Sequence, residues 1–278
     1  MKDEPSRGEF VHAAVWLGKH GVRVGVPTRL LATRLGVRGG AHTRTLLIRL
    51  AAFFPVAIAG GVGYQCLQYL PGVRGVEMTE SKICYFLLFG LQLAFWSAIR
   101  AGDRRAAHQL GAQRSDRPPP SWWELPGGWF LASAAVTFAG GAALGITMFL
   151  ATPYRTYAWS WLGVLALGGA VFGVIATGIL RRPVLAEDEP SAAVDAVVRI
   201  EDLYLAMPSY CALPVLIDLL TGNRQPPGFG PWLIGYAGLA LALQLVGGLR
   251  HWRRRPALPP GGYGVPLPAQ PGVARRSR

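Results

Sequence analysis

The sequence predicts an all-α membrane protein with six transmembrane helices, and three observations support this fold class. Hydrophobic residues occupy 51% of the 278 positions, and the mean hydropathy is +0.29. Residues 156–180 contain no charged side chain, and about twenty apolar residues are enough to cross the hydrocarbon core of a bilayer as a helix. Further uncharged stretches follow one another along the chain, as is typical of a multi-pass membrane protein.

The distribution of basic residues predicts the orientation. Residues 156–180 begin among aromatic side chains and end at Arg181 and Arg182, as expected for a helix that runs from the outer to the cytoplasmic surface. With alternating spans, 24 of the 28 Lys and Arg residues fall in cytoplasmic segments and four in external loops. Both termini are therefore predicted to be cytoplasmic. The same bias accounts for the net charge of +13, and anionic lipid headgroups are the expected partners.

The N-terminal segment, residues 1–45, is predicted to be basic and cytoplasmic. Pro27 is a start signal for a short basic amphipathic helix, which we expect to lie at the membrane surface. Its apolar face would hold Leu30, Leu31 and Leu35, with Arg29 and Arg34 off that face. No cleaved signal peptide is expected, because the first long apolar run begins only near Leu46.

Residues 31–37, LATRLGV, resemble the Leu-Ala-x-x-Leu-Gly-Val turn of bacterial helix-turn-helix repressors. The following Arg38-Gly39-Gly40 is a poor start for a recognition helix, and the first apolar span begins soon afterwards. Nucleic acid is therefore not an expected partner.

The membrane domain is predicted to occupy residues 46–250. Its six predicted spans are residues 46–69, 83–99, 128–151, 157–180, 203–220 and 230–249. The tail, residues 251–278, is rich in Pro, Gly and Arg and is predicted to be disordered in the cytoplasm.

The third and fourth spans are predicted to form a closely packed hairpin. Gly141 and Gly145 lie four positions apart in the third span, and Gly169 and Gly173 do so in the fourth. Small residues at this spacing let helix backbones approach closely. Because the connection between the two spans is very short, they must be antiparallel neighbours. Association with a helix of another protein is the alternative use of these faces.

The fifth span is predicted to be kinked. It contains Pro208 and Pro214, and each proline removes a backbone hydrogen bond within a helix. The freed carbonyl groups must then be satisfied by other helices or side chains.

Asp218, in the same span, is the best single candidate for an intramembrane functional residue, because charged groups at membrane depth often mark ion or substrate paths. Gln92 and Gln244 are its candidate polar partners. Alternatively, Asp218 faces the outer headgroups or pairs with Arg224.

Catalytic and metal-binding signatures do not stand out in the sequence. All five histidines fall in predicted cytoplasmic segments at irregular spacing, and the common zinc-protease, nucleophile-elbow and phosphate-loop motifs are missing. We therefore assign no catalytic residue, metal ligand or cofactor, and we do not expect an enzyme. Cys66 and Cys84 lie near the outer ends of the first two spans and are candidates for a disulfide.

The loop RRPVLAEDEP…DAVVR, the six spans and the arginine- and proline-rich tail look like multi-pass integral membrane proteins of high-GC actinobacteria whose activity is uncharacterised. The similarity is strongest over residues 159–202 and is largely one of composition. It implies a cell-membrane location and supplies no activity or functional residue.

These observations favour a non-catalytic accessory or interaction subunit of a membrane complex. The alternative is a small-molecule or ion transporter that uses the kinked fifth helix and Asp218. A membrane-embedded enzyme is the third hypothesis.

Overall fold

The computed structural model describes residues 4–38, 43–66, 81–110, 127–221 and 225–266. Two short strands are present in this part of the chain, β1 (Val24–Pro27) and β2 (Gly264–Pro266). The helices are α1 (Arg7–Lys19), α2 (Arg29–Arg38), α3 (Thr43–Cys66), α4 (Ser81–Leu110), α5 (Gly127–Ala135), α6 (Gly141–Ala151), α7 (Arg155–Leu180), α8 (Glu189–Ala206), α9 (Leu213–Thr221) and α10 (Gly230–Arg253). The predicted helical fold class is confirmed.

Five stretches of the described residues are helical, long and apolar enough to cross a membrane. They are Tyr85–Leu110, Gly127–Ala151, Arg155–Leu180, Glu189–Leu220 and Gly230–Arg253. A shorter apolar helix, Ala51–Gly63, lies within α3. These stretches agree with a multi-pass helical membrane protein.

The first two long helices, α3 and α4, pack as an antiparallel pair. Gly60 of α3 lies opposite Phe86 of α4, whereas Ala57 lies opposite Gly90. α4 continues to Leu110, well beyond the predicted end at residue 99. The prediction stopped at the first charged residue, but Asp103 and Arg105 in the last turns pair with Arg38 and Glu9, so the helix does not need to end there.

The predicted hairpin of the third and fourth spans is formed by α5, α6 and α7. A π-helical turn, Val136–Gly140, joins α5 to α6, and such a turn disturbs the regular backbone ladder. The hydroxyl of Tyr236 donates a hydrogen bond to the carbonyl of Thr137 at 2.8 Å. The indole N–H of Trp161 donates to the carbonyl of Gly141 at 2.9 Å. Both side chains therefore stabilise the irregular turn.

The four glycines of the hairpin differ in their surroundings. A Cβ atom on Gly141 or Gly145 would lie within 3 Å of side chains of neighbouring helices, so both positions require close approach. On Gly169 it would make ordinary contact with Phe138. On Gly173 it would meet nothing within 4 Å among the described residues. Gly173 therefore does not pack closely within the described hairpin, and its alternative use, association with a helix of another protein, stays a prediction.

The fifth span is broken at its centre, between α8 and α9. Met207 has a φ of 38°, a left-handed conformation that is uncommon for a residue other than glycine. Pro208 then begins a 3₁₀ segment, Pro208–Ala212. Pro214 lies in the first turn of α9, where a missing N–H disrupts no helical hydrogen bond. The break is therefore at Pro208, and Pro214 restarts the helix.

The break frees carbonyl groups in the last turn of α8, and two glutamines satisfy them. The side-chain amide of Gln92 donates to the carbonyl of Ala206. That of Gln244 donates to the carbonyl of Tyr204 at 3.3 Å. The two glutamines therefore tie α4 and α10 to the end of α8.

The N-terminal cap, which consists of α1, β1 and α2, packs on one end of the helical bundle. Its apolar core includes Leu17, Leu31 and Leu35, together with Val194 and Val198 of α8. α2 is therefore a core helix of the cap, and the predicted surface-lying amphipathic helix is wrong. The side chain of Arg34, predicted to lie off the apolar face, is 0% exposed.

The C-terminal segment returns to this cap. β2 pairs antiparallel with β1, and the backbone N–H of Thr28 donates to the carbonyl of Tyr263 at 3.0 Å. Tyr263 is only 2% exposed. The tail is therefore ordered as far as Pro266, against the prediction, and residues 267–278 lie outside the described part.

Candidate functional site

A buried group of charged side chains lies where the N-terminal cap meets the bundle. We name it the arginine–aspartate network. Its seven members come from α2, α4, the segment after α7, and α8: Arg34, Arg38, Asp103, Arg182, Asp195, Arg199 and Asp202. Each side chain is at most 9% exposed. Because moving charges out of water is expensive unless they are paired, the geometry of this network decides whether the fold is stable.

Arg34 links the cap to α8. Its Nη2 lies 2.6 Å from Oδ1 of Asp195, and its Nη1 donates to the carbonyl of Leu185 at 2.9 Å. Its Nε lies 3.5 Å from Oδ1 of Asp103. Burial lowers the pKa of Arg34 below its ordinary value, and the charges of the two aspartates oppose that effect.

Arg38, one turn further along α2, makes a two-pronged contact with Asp202. Its Nε donates to Oδ1 at 2.8 Å and its Nη2 to Oδ2 at 2.7 Å. Nη2 also donates to Oδ2 of Asp103 at 3.1 Å. Although burial alone would lower the pKa of Arg38, the charges of Asp103 and Asp202 raise it above its ordinary value, so this guanidinium stays charged.

Arg199 closes the C-terminal end of α7. Its Nη1 donates to the carbonyl of Ile179 at 3.0 Å, and its Nη2 donates to the carbonyl of Pro183 at 2.9 Å. Its Nε donates to Oδ2 of Asp195 at 2.6 Å. The last carbonyl groups of a helix lack partners within the helix, so Arg199 satisfies groups that would otherwise be buried without one.

Arg182 has two unused donors in the described part of the chain. Its Nη1 donates to Oδ2 of Asp103 and, at 3.1 Å, to Oδ2 of Asp202. Its Nε and Nη2 are buried and have no hydrogen-bond partner in the described part of the chain, since Oδ1 of Asp195 is 3.9 Å from Nη2. Burial opposes the charge of Arg182, but Asp103 and Asp202 raise its pKa above the ordinary value.

The network carries an excess of positive charge. It contains four arginines and three aspartates, so one guanidinium charge has no aspartate of its own within the group. Among the described residues, three guanidinium nitrogens of the network are buried without a hydrogen-bond partner: Nε and Nη2 of Arg182 and Nε of Arg34.

Arg182 borders a cavity of about 1040 Å³, which we name the side cavity. The cavity lies between α4, α7 and the end of α8. Its lining on α4 extends from Leu91 to Ala107, which corresponds to about 24 Å of helix. Arg100, Arg104, Arg181 and Arg182 line the end next to the network.

The remaining wall of the side cavity is mostly apolar. It is formed by Phe95, Trp96, Ala170, Gly173, Met207 and Tyr210, among others. Three further lining residues are 41%, 55% and 44% exposed, so the cavity is open to the side of the bundle: Leu91, Val174 and Leu205. One end of the side cavity is therefore cationic, and the rest of its lining is mostly hydrophobic.

The sequence-predicted polar residues are not gathered in one site. Asp218 accepts a hydrogen bond from the hydroxyl of Tyr157 at 2.7 Å and is not part of the side-cavity lining. Gln92 lines that cavity, and its Oε1 is buried without a hydrogen-bond partner in the described residues. Gln244 bonds Tyr204 instead. The predicted pairing of either glutamine with Asp218 is therefore wrong, and Arg224 lies outside the described residues.

The candidate disulfide stays a prediction. Cys66 is a free and exposed thiol in the structure, and the side chain of Cys84 lies outside the described part. Cys211, the third cysteine, is buried.

Sequence reasoning missed the network as a site. Among its ion pairs, that of Asp195 and Arg199 joins residues four positions apart on one helix, a spacing that a sequence can indicate. A further signal was the position of Asp103 and Asp202 close to the ends of predicted spans. An acid in such a position needs a partner, but the sequence does not show that the partners come from α2.

Comparisons of the chain with protein-family models, with curated proteins and with solved structures give no match. The geometry of the network and the side cavity is therefore the basis on which a function is inferred.

Proposed function

We propose that this protein is an integral protein of the cell membrane that crosses the bilayer six times, with both termini in the cytoplasm, and that it carries a small molecule in the side cavity. This corresponds to the transporter hypothesis with its site moved from Asp218 to the space between α4, α7 and α8.

The pairing of β1 with β2 supports six crossings. The two strands come from opposite ends of the chain and share one sheet, so they lie on the same side of any membrane. A chain whose ends are on one side crosses an even number of times. Parity therefore favours six crossings over five, and α3, with its apolar stretch Ala51–Gly63, supplies the sixth span in this proposal.

The cytoplasmic assignment of this side follows the distribution of charge. The cap, the end of α7 and the end of α10 lie together, and they carry Arg181, Arg182 and the run from Arg253 to Arg255. Lys and Arg collect on the cytoplasmic side of membrane proteins. The opposite end contains the contact between Tyr157 and Asp218 and is external in this topology.

The carrier function depends on one observation, the side cavity itself. Small-molecule sites are commonly concave spaces of about 300 to 1,000 Å³ that are mostly apolar and contain a few converging polar groups. The side cavity has this size and composition. It also borders the broken helix at Met207, and interrupted helices are a recurring element of transporter binding sites.

The decisive experiment compares two glycine substitutions in α7. Among the described residues, a Cβ atom would meet nothing within 4 Å at either Gly173 or Gly163, so the start of a Leu side chain is accommodated equally at both positions. Only Gly173 lines the side cavity. We expect a small molecule, identified by mass spectrometry of the purified protein, to be retained by the native chain and by Gly163→Leu and lost from Gly173→Leu.

Equal small-molecule content in all three proteins would contradict the carrier function. The hypothesis of an accessory or interaction subunit, the other function that the sequence favours, predicts a different result for this protein. It would co-purify with a stoichiometric protein partner, and Gly173→Leu would leave its bound molecules unchanged.

A further inference from the structure

We propose that the ligand of the side cavity is an anionic amphiphile, with a carboxylate or phosphate head bound by Arg182 and an apolar chain along α4 and α7. This inference rests on the proposed carrier function and adds the class of ligand.

Arg182 has N–H groups that could bind an anion. Its side chain is 9% exposed, yet its Nε and Nη2 have no hydrogen-bond partner in the described residues. Adjacent guanidinium N–H groups match the two oxygens of a carboxylate or phosphate, and such charge-assisted contacts are among the strongest hydrogen bonds. Both nitrogens are closed to solvent in this structure, so an anionic oxygen in the cavity would satisfy them once the guanidinium turns towards it.

The positive charge around this end of the side cavity also favours an anionic ligand. The arginine–aspartate network has one more arginine than aspartates. Arg100, Arg104 and Arg181 add further positive charge at the same end of the cavity. The aspartates that line this end, Asp103 and Asp202, are already bonded to arginines. An anionic head would therefore be attracted, and it would balance the excess charge.

The apolar wall of the side cavity favours a ligand that has a hydrocarbon chain. Beyond the arginines, the lining is formed by side chains such as Phe95, Trp96 and Met207, which offer hydrophobic contact and few polar partners. The opening between Leu91, Val174 and Leu205 is on the side of the bundle, where lipid chains would be. A small hydrophilic anion would leave this apolar length unfilled, whereas a chain-bearing anion from the bilayer fills both parts.

The test uses Trp96 as a reporter. The purified full chain is placed in nanodiscs of zwitterionic phosphatidylcholine, and dibromostearate or its methyl ester is added at mildly alkaline pH. Bromine quenches nearby tryptophan fluorescence, and the difference between the native chain and Trp96→Phe isolates the contribution of Trp96. We expect half-maximal quenching of Trp96 at an about tenfold lower concentration of the carboxylate than of the ester.

Arg182→Gln removes the charge and three of the five N–H donors, and we expect it to make the two probes equivalent. Arg182→Lys keeps the charge, so we expect a reduced preference for the carboxylate. If Arg182→Gln fails to fold, the comparison of carboxylate with ester in the native chain still decides the question. Acetate, which has the same head without a chain, is expected not to displace the dibrominated carboxylate.

The outcomes separate this inference from the carrier function. Equal quenching of Trp96 by both probes, abolished by Gly173→Leu, would overturn the anionic head and leave the carrier function standing. If acetate displaces the dibrominated carboxylate, the ligand is a small hydrophilic anion, and the proposal of an amphiphile is overturned. Quenching of Trp96 by neither probe would overturn both proposals.

Discussion

Nη2 of Arg34 lies 2.6 Å from Oδ1 of Asp195, a contact that joins α2 to α8 across 161 positions of the sequence. Both side chains are almost wholly buried. Asp195 also binds Arg199, which in turn holds the end of α7. A chain of three side chains therefore connects the N-terminal cap to two helices of the bundle and orders the segment that carries Arg182.

Arg34→Met is expected to destabilise the protein by about 3 to 5 kcal/mol, because removing one partner of a buried ion pair leaves the other charge uncompensated. The matched control is Arg29→Met in the same helix. The side chain of Arg29 is 76% exposed and pairs with Glu4 at the surface, at 3.7 Å, and such pairs contribute little. Thermal unfolding of the detergent-purified variants measures both effects, and equal Tm values for the two variants would contradict the role of Arg34.

Gly145→Ala is expected to lower the stability of the α6–α7 hairpin. A Cβ atom at this position would lie 2.6 Å from both Leu162 and Trp161, and overpacking of this kind typically costs about 1 to 3 kcal/mol. Gly163→Ala is the control in the neighbouring helix, where no described residue lies within 4 Å of the added Cβ atom. Because Ala is a better helix former than Gly, its Tm should be unchanged or slightly raised. A similar loss in both variants would argue against close packing at Gly145.

Tyr263→Ala is expected to detach the C-terminal strand from the cap. Tyr263 is buried, and its hydroxyl donates to the carbonyl of Pro259 at 2.6 Å. Loss of a large buried aromatic side chain typically costs about 3 to 5 kcal/mol. Hydrogen exchange at the amide of Thr28, which donates to the carbonyl of Tyr263, should become faster. Val265→Ala, in the same strand but 63% exposed, should leave that protection unchanged. Slow exchange in both variants would mean that the tail does not depend on Tyr263.

Cysteine labelling tests the six-span topology. With Cys84 and Cys211 replaced by Ser, a membrane-impermeant maleimide should label the exposed thiol of Cys66 in intact cells, because α3 carries it to the external side. Lys19→Cys in a cysteine-free chain places a thiol on the cap and should react only after the membrane is permeabilised. The reverse order of labelling would contradict the topology. Repeating the first measurement with Cys84 restored, before and after reduction, tests the predicted disulfide.

Helix positions were more predictable than helix lengths. The charge-free run at residues 156–180 corresponds closely to α7, because hydrophobic length and flanking charge are local properties. α4 was predicted too short, since Arg100 looks like a helix exit when its surroundings are unknown. In the folded chain, the helix continues past Arg100 to Asp103 and Arg105, whose charges are neutralised by residues of the cap.

The broken fifth helix was predictable for the same local reason, since a proline lacks the N–H that a helix interior requires. Its consequence was not predictable. The sequence contains Gln92 and Gln244 as polar residues in apolar spans, but only the packing of α4 and α10 brings them to the carbonyls of Ala206 and Tyr204.

The order of apolar and charged residues was enough to predict a helical protein with several helices long and apolar enough to cross a membrane, at about the right positions. These properties depend on the transfer of side chains and backbone from water to hydrocarbon, which composition along the chain describes. Which charges are compensated became visible only in the folded chain. Arg34 and Arg38 meet Asp103, Asp195 and Asp202 only through contacts between distant segments, and the unused donors of Arg182 and the cavity beside them exist only in the folded chain. Coulomb energy depends on distance in space and on burial, and neither quantity is written in the order of the residues.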